Sequence, residues 1–327
     1  MHSVLITGIT GLIGRNVLRE LLEKHPEYSY CALVRPGTDV IRYQEVRTKI
    51  RIVYIDLSDT ESLKEFLFTN DFDTIIHIGA IRGGRRFKKE DYIRSNISST
   101  EQMVEYCLAK NARLVFCSSV GVFGAIPIEL PAGAETEKNA DNLYHYTKIE
   151  SERIINKAIL IGLNAAIVRP SITYGQGDFG FPFQLVKMVK QYRFPLINRR
   201  IWIHLTHIDS LVQAFVWLTE NTWKSGITLT VADREPVQLN ALVNFISRQV
   251  HGKNYPRTLV FDRLLFAWGE KIARWLKNEL WISRFELISQ SWFYDTSLYH
   301  EIAENAGIKA HFTIPEFKIT IEDFQKH

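Results

Sequence analysis

The chain has little cysteine. Cys31, Cys107 and Cys117 are odd in number and lack metal-ligand spacing. That excludes a disulfide framework and a zinc site, and reads as free buried thiols in a reducing compartment. Long apolar runs are absent too: no segment approaches the ~20 residues that a membrane-spanning helix requires. Met1 leads directly into "SVLITG", without the basic stretch, apolar run and small-residue cleavage site of a secretory signal. These absences predict a cytoplasmic protein that engages no membrane and holds no metal. Internal repeats and low-complexity tracts are missing, and neither sign of charge dominates, the net being +4. One local excess is the five basic residues of "RGGRRFKK", Arg82 to Lys89. It resembles an RNA-contacting segment, yet only Phe87 could serve it as a stacking platform. A solvated loop after a strand, or recruitment of an anionic cofactor or substrate, explains it without nucleic acid.

What the chain has is alternation. With 327 residues, 46% of them hydrophobic, it can build one large core or two modest ones. Short apolar runs, "SVLIT", "YCALV", "KIRIVYI", "TIIHI" and "RLVFCSS", alternate with amphipathic helical patterns. Repeated β-α-β predicts the α/β class: a Rossmann-type, doubly wound parallel sheet with ligands at the carboxyl ends of its strands. After "LNAAIVRP" the pattern loosens, and Gly and Pro gather in "YGQGDFGFP". The expectation is a dinucleotide-binding domain over 1–175 and a smaller, mostly helical substrate lobe over 176–327, with 201–232 returning to the first domain. Trp268, Trp275, Trp281 and Trp292 in that lobe either line an apolar pocket or belong to its core.

The segment "ITGITGLIG" sets Thr7, Gly8, Gly11 and Gly14 between the first strand and the first helix, with Leu12 and Ile13 inside the loop. Glycines there permit a tight turn and close approach of a pyrophosphate, and the helix N-terminus offers it unpaired N–H groups. NAD-type sites place a carboxylate at the end of the second strand. Here "ALVRPGTD" puts Arg35 at that point. A guanidinium suits a 2′-phosphate, so NADP(H) is favoured, while Asp39 farther along keeps NAD(H) open.

In "YHYTK", Tyr144 to Lys148, two tyrosines precede one lysine. On a helix Tyr144 and Lys148, four apart, share a face, whereas Tyr146 points away. A phenol is a poor base at neutral pH and needs a nearby positive charge, which Lys148 is expected to supply. Upstream, "VFCSSVGVFG" sets Ser118 and Ser119 at the end of a strand, where a hydroxyl can orient a substrate oxygen while the phenol moves a proton.

With these residues together, the sequence resembles the extended short-chain dehydrogenase/reductase family, also called the NAD-dependent epimerase/dehydratase family. The resemblance covers almost the whole chain. It rests on the glycine loop, on "YIDL" with Asp56 and Leu57 as the adenine contact, and on "HIGA" with Gly79 and Ala80. It rests also on "NISST" from Asn96, on Ser119 within "SSVGVFG", and on Tyr144 lying 25 residues farther on. "RPSITYG", with Pro170, resembles the segment that closes over the nicotinamide, "HID" at 207–209 a later signature, and "WFYDTS" a C-terminal pattern. The resemblance implies that Ser119, Tyr144 and Lys148 are catalytic, that Lys148 also holds the nicotinamide ribose, and that Asn96 supports a proton relay through water. It also implies a homodimer.

Departures from the family's patterns narrow the chemistry. Dehydratases carry an acidic pair after the catalytic hydroxyl, where this chain has Val120 and Gly121; sugar-nucleotide epimerases carry an arginine where it has Ile203. The Trp-rich lobe looks more like the branch of dihydroflavonol reductases and hydroxysteroid dehydrogenases. The expected function is hydride transfer between NADP(H) and a keto or hydroxy group of a largely apolar or aromatic small molecule. The alternatives are an NAD-dependent nucleotide-sugar epimerase and a non-catalytic dinucleotide sensor or RNA-associated protein.

Overall fold

The β-branched and aliphatic runs form strands because alternate residues find apolar cover on both faces of one sheet. The computed structural model describes residues 2–83, 87–261, 271 and 285–327. Its first strands are β1 (Ser3–Thr7), β2 (Ser29–Val34), β3 (Arg51–Tyr54), β4 (Thr74–His77), β5 (Arg113–Cys117) and β6 (Asn164–Pro170). A seventh, Thr228–Val231, completes a sheet of order Thr228–Val231, β6, β5, β4, β1, β2, β3. The pairs from β3 through β6 are parallel. Connecting helices are α1 (Leu12–Lys24), α2 (Thr60–Phe68), α3 (Lys89–Tyr92), α4 (Ser99–Lys110) and α5 (Leu143–Ile159). The expected parallel α/β sheet is therefore present, and the order reverses between β1 and β4, the place where such sheets open a ligand crevice.

Period two decides which side chains meet which helices. Leu5, Leu33, Ile75, Leu114, Phe116, Ala165 and Ile167 pack on one face with Leu63, Leu67, Met103, Tyr106 and Ile155 from α2, α4 and α5. All three cysteines are buried and free. Among the described residues no helix is long and apolar enough to cross a membrane.

Two compact units divide the chain. The first comprises Met1–Val122, Lys138–Pro170 and Leu211–Leu229; the second comprises Phe123–Glu137, Ser171–Ser210 and Thr230–His327. The early excursion of Phe123–Glu137 has no counterpart in the sequence reading. In the second unit helices Phe181–Lys190, Leu239–His251 and Lys318–Lys326 surround short strands. Asp233 is fully buried there and accepts hydrogen bonds from Tyr174 Oη, Thr313 Oγ1 and the His207 amide. Trp292 is core: wholly buried, with Nε1 donating to the Leu287 carbonyl at 3.0 Å. Trp268, Trp275 and Trp281 lie outside the described residues. His207, Asp209 and His311 bring donor atoms within 4.8 Å of one another. The two imidazoles, however, stack nearly parallel at 4.3 Å and 6°. In-plane lone pairs on parallel rings do not converge on one ion.

Buried histidines make the fold sensitive to acid. Burial holds His77 down to about 3, helped by the Lys148 charge, and His204 down to about 4. It lowers His207 as well, with the neighbouring His311 acting in the same sense. Unfolded, each returns to about 6.5, so between that value and the folded one the unfolded chain binds more protons and stability falls with falling pH. His25 opposes them: burial lowers it, but its bonds to Glu220 and Glu27 raise it overall. Burial lowers His2 and His300 too, so five groups against one give an expected loss of stability from pH 7 to pH 5, at a limiting slope of about 1.4 kcal/mol per pH unit for each histidine. Urea midpoints measured across that range check this; a flat profile refutes it.

Candidate functional site

The cofactor loop is built by contacts that exclude side chains. Gly8 has φ +82°, and a Cβ there would come within 2.7 Å of the Gly79 amide nitrogen. One added at Gly14 would lie 2.4 Å from the Gly8 carbonyl oxygen. The Gly11 amide closes the turn on that same oxygen at 3.0 Å. Helix α1 begins at Leu12, with Ile13 in its first turn, and its cap Gly11 has no side chain to fill the open N–H groups. A shaped cradle at an open helix N-terminus fits a pyrophosphate.

Thr7 ties this loop to β4. Its hydroxyl accepts from the Ile78 and Gly79 amides at 3.1 and 2.9 Å and donates to His77 Nδ1 at 2.8 Å, so the imidazole is neutral, in agreement with its lowered pKa. Leu57 covers Gly79 so closely that a Cβ there would lie 2.8 Å from Leu57 Cδ1. Ala80 follows directly in the same segment.

Arg35 stands just past β2, and its Nε pairs with Asp56 Oδ2 at 3.0 Å. Asp56 Oδ1 accepts from the Ser58 amide and hydroxyl. The two residues read separately as phosphate and adenine contacts are thus one ion pair. Beside it lies a cavity of about 590 Å³ lined by Arg35, Pro36, Gly37, Thr38, Asp39, Ile41 and Arg42. Asp39 is occupied in capping the short turn Val40–Arg42 through the Ile41 amide. Arg42 is a second guanidinium on this cavity that sequence reasoning missed; its only sign there was its place seven residues after Arg35.

Asn142 caps α5 by accepting from the His145 amide at 2.9 Å. The helix then sets Tyr144 and Lys148 on one face, with Lys148 Nζ 5.8 Å from the Tyr144 ring centre, while Tyr146 is 39% exposed. Lys148 is 3% exposed, donates to the Cys117 carbonyl at 2.6 Å and lies over Phe116. Burial brings its ammonium down to about 8. Tyr144 is half-buried, and burial pushes its phenol up to about 12, against the Arg82 charge and a hydrogen bond with Ser119. Arg82, from the basic run, is a charge beyond Lys148 that lowers this phenol. Ser119 Oγ also accepts from the Gly121 amide at 3.0 Å.

Glu152, one turn beyond Lys148, is wholly buried. It takes Arg169 Nε and Nη2 at 2.8 Å each, Lys138 Nζ at 2.7 Å and Ser118 Oγ at 2.6 Å. Burial alone would raise its carboxyl, but Arg169 and Lys138 bring it below the ordinary value. Pro170, next to Arg169, is buried at the end of β6.

Asn96 lies in a π-helical turn, Ile93–Ser98. Its amide brackets the Ile81 backbone at 2.8 and 2.9 Å and reaches Thr147 Oγ1 at 3.0 Å. Its carbonyl accepts from Thr100 and Ser151. Asn96 thus brackets the residue before Arg82.

The family described as "NAD dependent epimerase/dehydratase family" matches residues 4–231. A relative named UDP-glucose 4-epimerase 2, from Arabidopsis thaliana, is 29% identical over 58% of this chain and 59% of its own length. The chain thus spans about three fifths of that relative. A ketoreductase from Stigmatella aurantiaca, acting on a farnesyl dihydroquinoline oxide by its name, is 24% identical over 74% of this chain and 71% of its own. The solved structure of UDP-glucuronic acid 4-epimerase from Bacillus cereus with NAD has a TM-score of 0.74 at 17% identity, covering 99% of each chain. That likeness shows the shared fold.

Proposed function

Because the chain belongs to the NAD-dependent epimerase/dehydratase family, whose members are enzymes using a nicotinamide cofactor, we propose that it is an NADP(H)-dependent oxidoreductase acting on a keto or hydroxy group of a largely apolar small molecule. The observation that carries the reading is Arg35 at the end of β2, with Arg42 on the same cavity and Asp39 withdrawn into a cap. Two guanidiniums on one cavity, with Asp39 engaged as a cap and Asp56 paired to Arg35, suit a 2′-phosphate.

Bound in the glycine loop, NADP(H) supplies or accepts the hydride. Ser119 orients the substrate oxygen. Tyr144, protonated at neutral pH, donates its proton to that oxygen in reduction and recovers it in oxidation. Arg82 stabilises the phenolate left behind, and Lys148, buried and fixed to the Cys117 carbonyl, holds the nicotinamide ribose.

The second reading, an NAD-dependent nucleotide-sugar epimerase, is favoured by the plant relative's name. Titration of the purified protein and of Arg35→Ala with NADPH and NADH separates the two. Loss of NADPH affinity by tenfold or more, with NADH changed less than about threefold, is expected. A preference for NADH, or equal losses, would move the assignment to the epimerase.

A further inference from the structure

His145 is a polar residue of the site that the mechanism leaves unused. The Asn142 cap sets it in the first turn of α5, beside Tyr144, with ring centres 5.9 Å apart. Its Nδ1 is hydrogen-bonded to the Asp141 carboxylate. The Asn142 amide lies 2.9 Å from both Nδ1 and Asp141 Oδ1; it donates to the carboxylate, the stronger acceptor. Asp141 cannot donate in return, so the ring proton sits on Nδ1 and Nε2 carries a lone pair.

The position of that lone pair is unusual. A Cβ on Gly121 would come 2.3 Å from His145 Cδ2 and 2.4 Å from Nε2. The imidazole edge therefore occupies the space into which any side chain at position 121 would project, and the Gly121 amide is itself bonded to Ser119 Oγ. Among the described residues Nε2 makes no hydrogen bond, and the side chain is 15% exposed. An oriented acceptor thus abuts Gly121, whose amide holds Ser119 Oγ, on the residue that follows Tyr144.

We propose that His145, oriented by Asp141, accepts a hydrogen bond from a substrate hydroxyl on the carbon adjacent to the reacting carbonyl, so that the site selects α-hydroxy ketones and the corresponding vicinal diols. This rests on the oxidoreductase reading, which places the carbonyl oxygen at Ser119 and Tyr144. It refines that reading: the substrate body is apolar and one hydroxyl is recognised.

A matched pair of probes tests it. 2-Hydroxyacetophenone and propiophenone differ by a hydroxyl in place of a methyl. Their kcat/KM ratio with NADPH is measured for the wild type, His145→Phe and Asp141→Asn. Because a hydroxy ketone is intrinsically more reactive, the change in the ratio between proteins is the quantity that counts. The ratio is expected to fall at least tenfold in His145→Phe and severalfold in the near-isosteric Asp141→Asn, which no longer fixes the tautomer. A variant that loses activity toward both ketones in equal proportion, or keeps the wild-type ratio, overturns the proposal and leaves the oxidoreductase reading standing. If the wild type binds NADPH but reduces neither ketone, the oxidoreductase reading fails and the proposal fails with it.

Discussion

Tyr144→Phe is expected to lower turnover by about 10³-fold, within the 10²–10⁴ that positioned proton transfer contributes, while NADPH affinity stays within about twofold. The ring remains and only the hydroxyl goes, so packing against Lys148 is kept and the proton donor is lost. The direction of the pKa shift sharpens the expectation. Burial lifts the phenol to about 12, so the donor is protonated throughout the neutral range and the only change in the reductive rate from pH 6 to pH 9 should be the one that follows Lys148 near 8. The oxidative rate needs the phenolate and should climb across the same interval. Arg82 is one charge that favours this phenolate, so the climb should weaken if that guanidinium is removed. Stopped-flow measurement of NADPH oxidation reads these quantities, and unchanged turnover in Tyr144→Phe would end the assignment.

The second large effect concerns stability. Glu152→Ala removes the carboxylate that four donors share and opens a void beside the buried Arg169. Breaking a buried pair from one side costs about 3–5 kcal/mol, because the remaining charge loses the carboxylate that met it. For a chain of this size that amounts to a fall in Tm of roughly 10 °C. Glu152→Gln keeps the shape and some hydrogen bonds, and should lose less. Thermal melts followed by circular dichroism test the order: wild type, then Gln, then Ala. If Ala melts with the wild type, the network does not stabilise the fold. The carboxylate lies one helical turn after Lys148 and holds Ser118, the residue before Ser119, so Gln should also lower kcat without matching the loss in Tyr144→Phe.

Local pattern was enough for the sheet and the cofactor loop. Period-two apolar runs, glycines between a strand and a helix, and two side chains four apart on α5 are all set by neighbours in sequence. The residues that the sequence hid are those whose meaning depends on distant partners. Glu152 looks like any carboxylate on an amphipathic helix; its burial is decided by Arg169 and Lys138, 17 and 14 residues away. Arg82 belongs to a charged run whose ordinary fate is solvation, yet its charge acts on Tyr144, and the residue before it is gripped by Asn96. Arg35 and Asp56 were legible singly but not as a pair, since they leave different strands. His145 needed the absence of a side chain at Gly121 to acquire its place.

The contact between Gly14 and the Gly8 carbonyl bears on how this protein can be re-engineered. A loop with no room for one methyl group at Gly8 or Gly14 offers no freedom for tuning there: a substitution at either displaces backbone, and affinity for either nicotinamide nucleotide would suffer together. The Arg35–Arg42 cavity is open, its loop side chains are replaceable, and none of its lining residues belongs to the glycine turn. Binding strength and nucleotide choice are therefore separable design variables, and a library aimed at switching the cofactor should leave residues 8–14 as they are and diversify 35–42.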